Sequence, residues 1–239
     1  MVLARASLNL RITSAMTDAR EFHTATLLAD GRVLVTGGYA PFNVQLATAE
    51  IYDPVSGKFS AAGNMMVGRA AHVAALLRDG RVLVAGGDTG AAELFDPKAG
   101  TFSATGTAQS ARTYPTLTLL SNGKALLCGG DGGATAELYD ASSGTFSPTS
   151  GDMEFQRLHN PATLLNSGKV LVAGGAGSKG LISAAELFDP ATNTFARTAD
   201  MTTARSSHTA TVLTNGKVLV VGGIDSTGTP VATAELYEF

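Results

Sequence analysis

Apolar and polar positions alternate along this chain with a period near two, and the alternation breaks at regular places. The segment Arg32-Val33-Leu34-Val35 is apolar at successive positions, so a strand formed there is apolar on both faces and has to be covered on both. It has four counterparts further along the chain. The segment before it, Thr24-Ala25-Thr26-Leu27-Leu28, reads as a first strand (a), with the apolar segment as b. Ala49-Glu50-Ile51-Tyr52 reads as strand c, and a shorter, more polar piece around Phe59 as strand d, suited to an outer edge. Turn chemistry separates these pieces. Asp30-Gly31, Asp79-Gly80, Asn122-Gly123, Ser167-Gly168 and Asn215-Gly216 stand between a and b, mostly the dipeptides a two-residue hairpin needs. Asp53-Pro54-Val55-Ser56-Gly57 and its relatives at Asp96, Asp140 and Asp189 stand between c and d. No segment combines helical apolar spacing with caps.

The unit repeats five times. Its glycine pairs are Gly37-Gly38, Gly86-Gly87, Gly129-Gly130, Gly174-Gly175 and Gly222-Gly223, spaced by 49, 43, 45 and 48 residues. An arginine stands 17 residues before each pair (Arg20, Arg69, Arg112, Arg157, Arg205), and a glutamate follows each (Glu50, Glu93, Glu137, Glu186, Glu235). Repeats of this length made of four short strands predict an all-β ring of stacked blades. The expected architecture is a five-bladed β-propeller with four antiparallel strands per blade, one domain over residues 1–239. The blades span about 17–63, 66–106, 109–150, 154–199 and 202–239. The fifth repeat stops after strand c. Leu10 precedes Arg20 as Phe59 precedes Arg69, so residues 8–13 are expected to supply the missing strand d and close the ring beside Glu235–Tyr237. A larger ring, or exchange of this strand between chains, is the alternative.

The double glycine, the Glu-Leu-Tyr-Asp-Pro-like segment, the aromatic of strand d and the upstream Arg-x-x-His together resemble the Kelch repeat. Phenylalanine stands where that repeat usually has tryptophan, and this chain has none. The resemblance implies a scaffold that binds a protein or peptide. It also implies likeness in fold to the Kelch domain of galactose oxidase. Cys128 lies in a core strand, however, so that likeness stops at fold.

Where the repeat varies matters for function. The distance from the second glycine to the glutamate is 12, 6, 7, 11 and 12 residues, whereas arginine to glycine is invariant. These b–c loops emerge on the same face as the d–a loops, and a scaffold with one variable face is expected to bind there. Candidate contact residues on that face are Phe22, Tyr39, Phe42, Leu46, Tyr114, Phe155, Lys179, Leu181, Ile182 and Val231. The five arginines and five glutamates are expected to pair structurally, because a charge recurring in every blade serves the blade.

A net charge of −3 with 15% charged residues offers no basic surface for nucleic acid. No apolar run is long enough for a membrane span. A single cysteine excludes an internal disulfide and a cysteine-based zinc site. His23, His72 and His208 share an offset from their arginines, His159 lies one residue out of that register, and no metal site or cofactor is expected. Asp88, Asp131 and Asp225 read as turn formers. No hydrolase, zinc-protease or phosphate-loop motif is present, so the expectation is a non-enzyme, monomeric or self-associating. A small-ligand or glycan binder, the domain of a larger enzyme, and a self-assembling unit stand as alternatives. The N-terminus does not read as a secretory signal, which for a complete chain implies the cytoplasm.

Overall fold

The computed structural model describes residues 12–130 and 133–238. Five antiparallel sheets stand in a ring as a five-bladed propeller. Blade one runs Thr24–Leu27, Val33–Thr36, Ala49–Asp53 and Lys58–Ala61 from axis to rim, and blades two to four repeat that order. Blade five shows three strands, Thr209–Val212, Val218–Val221 and Ala234–Tyr237. The only helical element among the described residues is a short 3-10 turn, Pro41–Asn43, and no helix is long and apolar enough to cross a membrane.

The both-faced apolar strand b explains the stacking. In blade two, Val82 and Val84 face Leu34 and Ile51 of blade one, while Leu83 and Leu94 face Leu127 and Tyr139 of blade three. Leu126 and Leu138 then meet Val170, Val172 and Phe188 of blade four, and Leu171 and Ala185 meet Val218 and Val220 of blade five. Each fully buried side chain of this size stabilises by roughly 1.5–3 kcal/mol.

The double glycines have a steric reason. Gly37 and Gly38 both have positive φ, and a Cβ on Gly37 would lie 2.4 Å from the Arg69 carbonyl oxygen of blade two. That close approach lets the Gly38 N–H donate to the same carbonyl at 2.8 Å; Gly87, Gly130 and Gly175 donate likewise to Arg112, Arg157 and Arg205.

Pairing of residues 8–13 with blade five falls largely outside the described residues. Of that segment Ile12 and Thr13 are described and lie in no strand, with Ile12 fully exposed; Ser14 follows them. Ser14 N–H donates to the Gly57 carbonyl at 3.3 Å, and its hydroxyl accepts from Phe59 N–H at 2.9 Å. Gly63 makes the matching bond to Gly100 from the end of blade one's strand d. Ser14 thus sits where a preceding blade's strand d finishes.

Candidate functional site

The recurrent charges hold the variable face in place. Each arginine reaches into its own blade and binds at least three acceptors. Arg69 donates to the carbonyls of Gly86 and Ala91, both at 2.9 Å, and to Glu93 at 2.9 Å. The other pairs are Arg20–Glu50 at 3.1 Å, Arg112–Glu137 at 3.4 Å, Arg157–Glu186 at 2.7 Å and Arg205–Glu235 at 2.8 Å. The glutamates also accept amide N–H groups from the d–a loops, for example those of Met66 and Val67 on Glu93. Burial works to raise the Glu50 carboxyl, but the amides of Thr17 and Asp18 and the Arg20 guanidinium hold it below its ordinary value. Each spoke therefore ties a d–a loop to a b–c loop.

Two residues beyond each arginine the chain turns into strand a at the mouth of the axis. Phe22, Ala71, Tyr114, His159 and Ser207 hold these five equivalent places, all with φ between 50° and 56°. Left-handed backbone at non-glycine residues costs roughly 1–2 kcal/mol each. The corner sends hydrogen bonds from blade to blade: Ala71 N–H to Phe22 O at 3.0 Å, Tyr114 N–H to Ala71 O at 2.9 Å, Ser207 N–H to His159 O at 2.8 Å.

Because Ala71 is small, rings on either side of it meet. Phe22 packs edge-on to Tyr114 at 5.8 Å and to Tyr39 at 6.3 Å, and Tyr114 lies 4.2 Å from the His159 ring. They border a shallow cavity of about 260 Å³. In its floor, His72 Nδ1 and Asn160 Oδ1 are buried without a hydrogen-bond partner. Burial, then the Arg69 charge, push His72 down to about 3.

The candidate residues fall into groups. Phe22, Tyr39 and Tyr114 form the axial cluster. Phe155, Lys179, Leu181 and Ile182 line a second cavity of about 480 Å³ beside blade four's b–c hairpin. There the Phe155 ring lies 5.6 Å from the Arg157 and 5.3 Å from the Arg197 guanidinium. Phe42 stands alone at the tip of loop one, 99% exposed. Leu46 bonds Gly38 and Arg69 through its backbone and is half-buried, and Val231 ties its loop to Gly223; both serve their loops.

Three residues of this face, His159, Met66 and Val67, were not among the contact candidates drawn from the sequence. His159 belongs to the axial corner with Phe22 and Tyr114, a register visible when positions are counted from the arginine instead of matched by residue type. Met66 and Val67 add exposed apolar surface on the d–a loop that follows blade one. Among the described residues no three His, Cys, Asp or Glu side chains gather closely enough to hold a metal ion. Asp225 is a turn former, accepting from Thr227 and Thr229 N–H, and Asp131 lies outside the described residues. Cys128 is buried beside the Thr116 hydroxyl, and burial pushes its thiol up.

The Kelch-motif family profile matches residues 23–66, which is blade one with its flanks. No curated protein matches the chain. Among the solved structures that match is one titled "Structure of YjhT", 16% identical, with a TM-score of 0.72 over 94% of this chain and 83% of that one. At that identity the likeness speaks for the fold. A Kelch motif is thus matched in the first blade, and its glycine pair, arginine and glutamate recur in the same places in the other four blades of this β-propeller.

Proposed function

We propose that this propeller is a non-catalytic scaffold that binds a protein or peptide on the face carrying the b–c and d–a loops. The observation that carries the reading is the distribution of exposed apolar groups. Among the described residues, Phe22, Phe42, Val44, Met66 and Val67 account for half of the large exposed hydrophobic side chains, and all lie on the loops of this one face. Continuing inward from them is the Tyr39–Phe22–Tyr114–His159 ring series. Broad aromatic surface on a rigid frame suits extended partners.

A selection from a displayed library of linear peptides tests this. Binders are expected to lose at least about tenfold in affinity on Phe22→Ala or Phe42→Ala, with melting temperature unchanged for Phe42→Ala. A second reading, a small polar ligand or saccharide at the axis, is favoured by one observation, the unpartnered His72 Nδ1 and Asn160 Oδ1 in the mouth. It predicts that Asn160→Ala abolishes binding while Phe42→Ala does nothing. Library binders indifferent to all of these substitutions would sink both readings.

A further inference from the structure

The seam between blades five and one is made of the same two half-interfaces as the other four, but they are not joined. On blade five, Leu219 and Leu236 hold the places of Leu34 and Ile51. Leu34 and Ile51 are 0% and 6% exposed; Leu219 is only half-buried and Leu236 is 44% exposed, with Val221 beside them at 40%. On blade one, Val33 and Tyr52 hold the places of the fully buried Val82 and Phe95, yet both are half-buried, and Leu27 is 64% exposed.

The hydrogen bonds agree. Four arginine carbonyls accept a glycine N–H from the preceding blade, each at 2.8 Å. Among the described residues no such bond joins Gly223 to Arg20. The space at Gly222 agrees too. A Cβ at Gly37, Gly86, Gly129 or Gly174 would meet the next blade's arginine carbonyl within 2.9 Å, whereas at Gly222 only Val231 O of its own loop comes within 4 Å.

Four seams closed by the same bond at the same length fix the angle between successive blades. Were that angle a fifth of a turn, the last seam would close with the same contacts. Among the described residues it does not, so each blade takes up less than a fifth, and the described residues leave an arc lined on both sides by apolar strand faces. A whole second copy does not fit that arc, since its entering blade would bring four packed neighbours into the space blade one fills.

We propose that the arc is an acceptor site for one further Kelch-type blade. Toward blade five this blade offers an arginine-corner carbonyl to Gly223 N–H and a Val-x-Val strand to Leu219 and Leu236. Toward blade one it offers an apolar strand b to Val33 and Tyr52, and a glycine N–H to the Arg20 carbonyl. The four existing seams are the template for both contacts.

The probe is the chain's own repeat. Glu238 stands where Asp189 stands in blade four, so residues 190–238 repeated directly after Glu238 supply a strand d for blade five and three strands of a sixth blade, in register. Amide hydrogen exchange is read at Gly223. In the parent monomer Gly223 is expected to exchange at least about tenfold faster than Gly38, Gly87, Gly130 and Gly175, and in the extended chain to slow to their rate. Protection of Gly223 in the parent monomer means that the ring closes on itself and overturns the proposal. Protection that appears only in a parent dimer overturns it in favour of a second copy. A second extension, with residues 54–96 after Glu238, guards against a sequence that simply fails to fold. If neither extension protects Gly223, the arc does not accept a blade.

Discussion

Blades two and five are written in the same repeat and sit in different surroundings. In blade two every residue of strand b, Val82–Gly86, is buried, and the Arg69–Glu93 pair is sealed at 0% and 2% side-chain exposure. In blade five strand b runs buried, half-buried, buried, exposed, and Glu235 is 21% exposed beside a buried Arg205. The register of strand b on strand c is the same in both, so two things differ: the neighbouring blade, and the strand d, Thr101–Thr107, that covers strand c of blade two and has no counterpart beside Ala234–Tyr237 among the described residues. The repeat encodes two half-interfaces, and burial is conferred by whatever stands next door. Stability is therefore expected to vary around the ring although the sequence pattern does not.

The largest effect should come from the charged spokes. Glu93→Ala leaves the Arg69 guanidinium buried with one acceptor gone and is expected to cost about 3–5 kcal/mol. Glu235→Ala removes a partner that water already reaches, and about 1 kcal/mol is expected. Urea denaturation of the two variants checks this. Equal losses would mean that a spoke draws its strength from its own blade and that the neighbouring blade contributes nothing.

Next in size is the apolar seam. Leu83→Ala opens a cavity between blades two and three and should cost about 3 kcal/mol, while Leu219→Ala, at the matching position of blade five, should cost about 1 kcal/mol. A Leu219→Ala loss as large as that of Leu83→Ala would show that blade five's outer face is covered in solution.

Much of this could be read from the sequence because the ring is made of local, repeated constraints. Asp-Gly and Asn-Gly turns demand positive φ, the Gly-Gly pair makes room for a carbonyl, and each arginine finds its glutamate within one repeat. The axial corner was harder to see. Its left-handed residues are Phe, Ala, Tyr, His and Ser, none the glycine or asparagine that marks such a conformation, because hydrogen bonds between blades impose it. The grouping of Phe155 with the blade-four hairpin, and the solitary exposure of Phe42, depend on where loops of unequal length come to rest. The unjoined seam was hidden for a related reason. The angle between blades is the outcome of packing at four interfaces, and no residue pattern within one repeat states it.

Acid separates the same two blades more finely. Burial, then the Arg69 charge, hold His72 of blade two at about 3; burial, then the Arg205 charge, hold His208 of blade five at about 4. Both lie below the ordinary value near 6.5, so between these limits the unfolded chain binds more protons than the folded one. Stability is complete above about pH 6.5 and falls as pH drops, by about 1.4 kcal/mol per pH unit for each histidine at full slope. The His208 contribution levels off near pH 4, while that of His72 continues toward pH 3. Burial lowers His159 as well, so between pH 7 and 4 unfolding free energies should lose only the His72 share of their slope, at most about 1.4 kcal/mol per pH unit, in His72→Gln. An unchanged slope in that variant would place the acid sensitivity elsewhere.

The smallest effect on stability is expected at Phe42, and that is where the contrast between frame and face is sharpest. Its side chain is 99% exposed and its backbone is left-handed, with φ of 66°. Truncating a group that touches so little should move stability by no more than about 0.5 kcal/mol. Phe42→Gly removes the same ring and also relieves the backbone, so it is expected to stabilise slightly, by under about 1 kcal/mol. If both variants melt at or above the parent while losing bound peptide, the ring at that tip is held for a partner, and its cost is borne by the rigid blades beneath. A clear fall in melting temperature for Phe42→Ala would instead make loop one part of the frame.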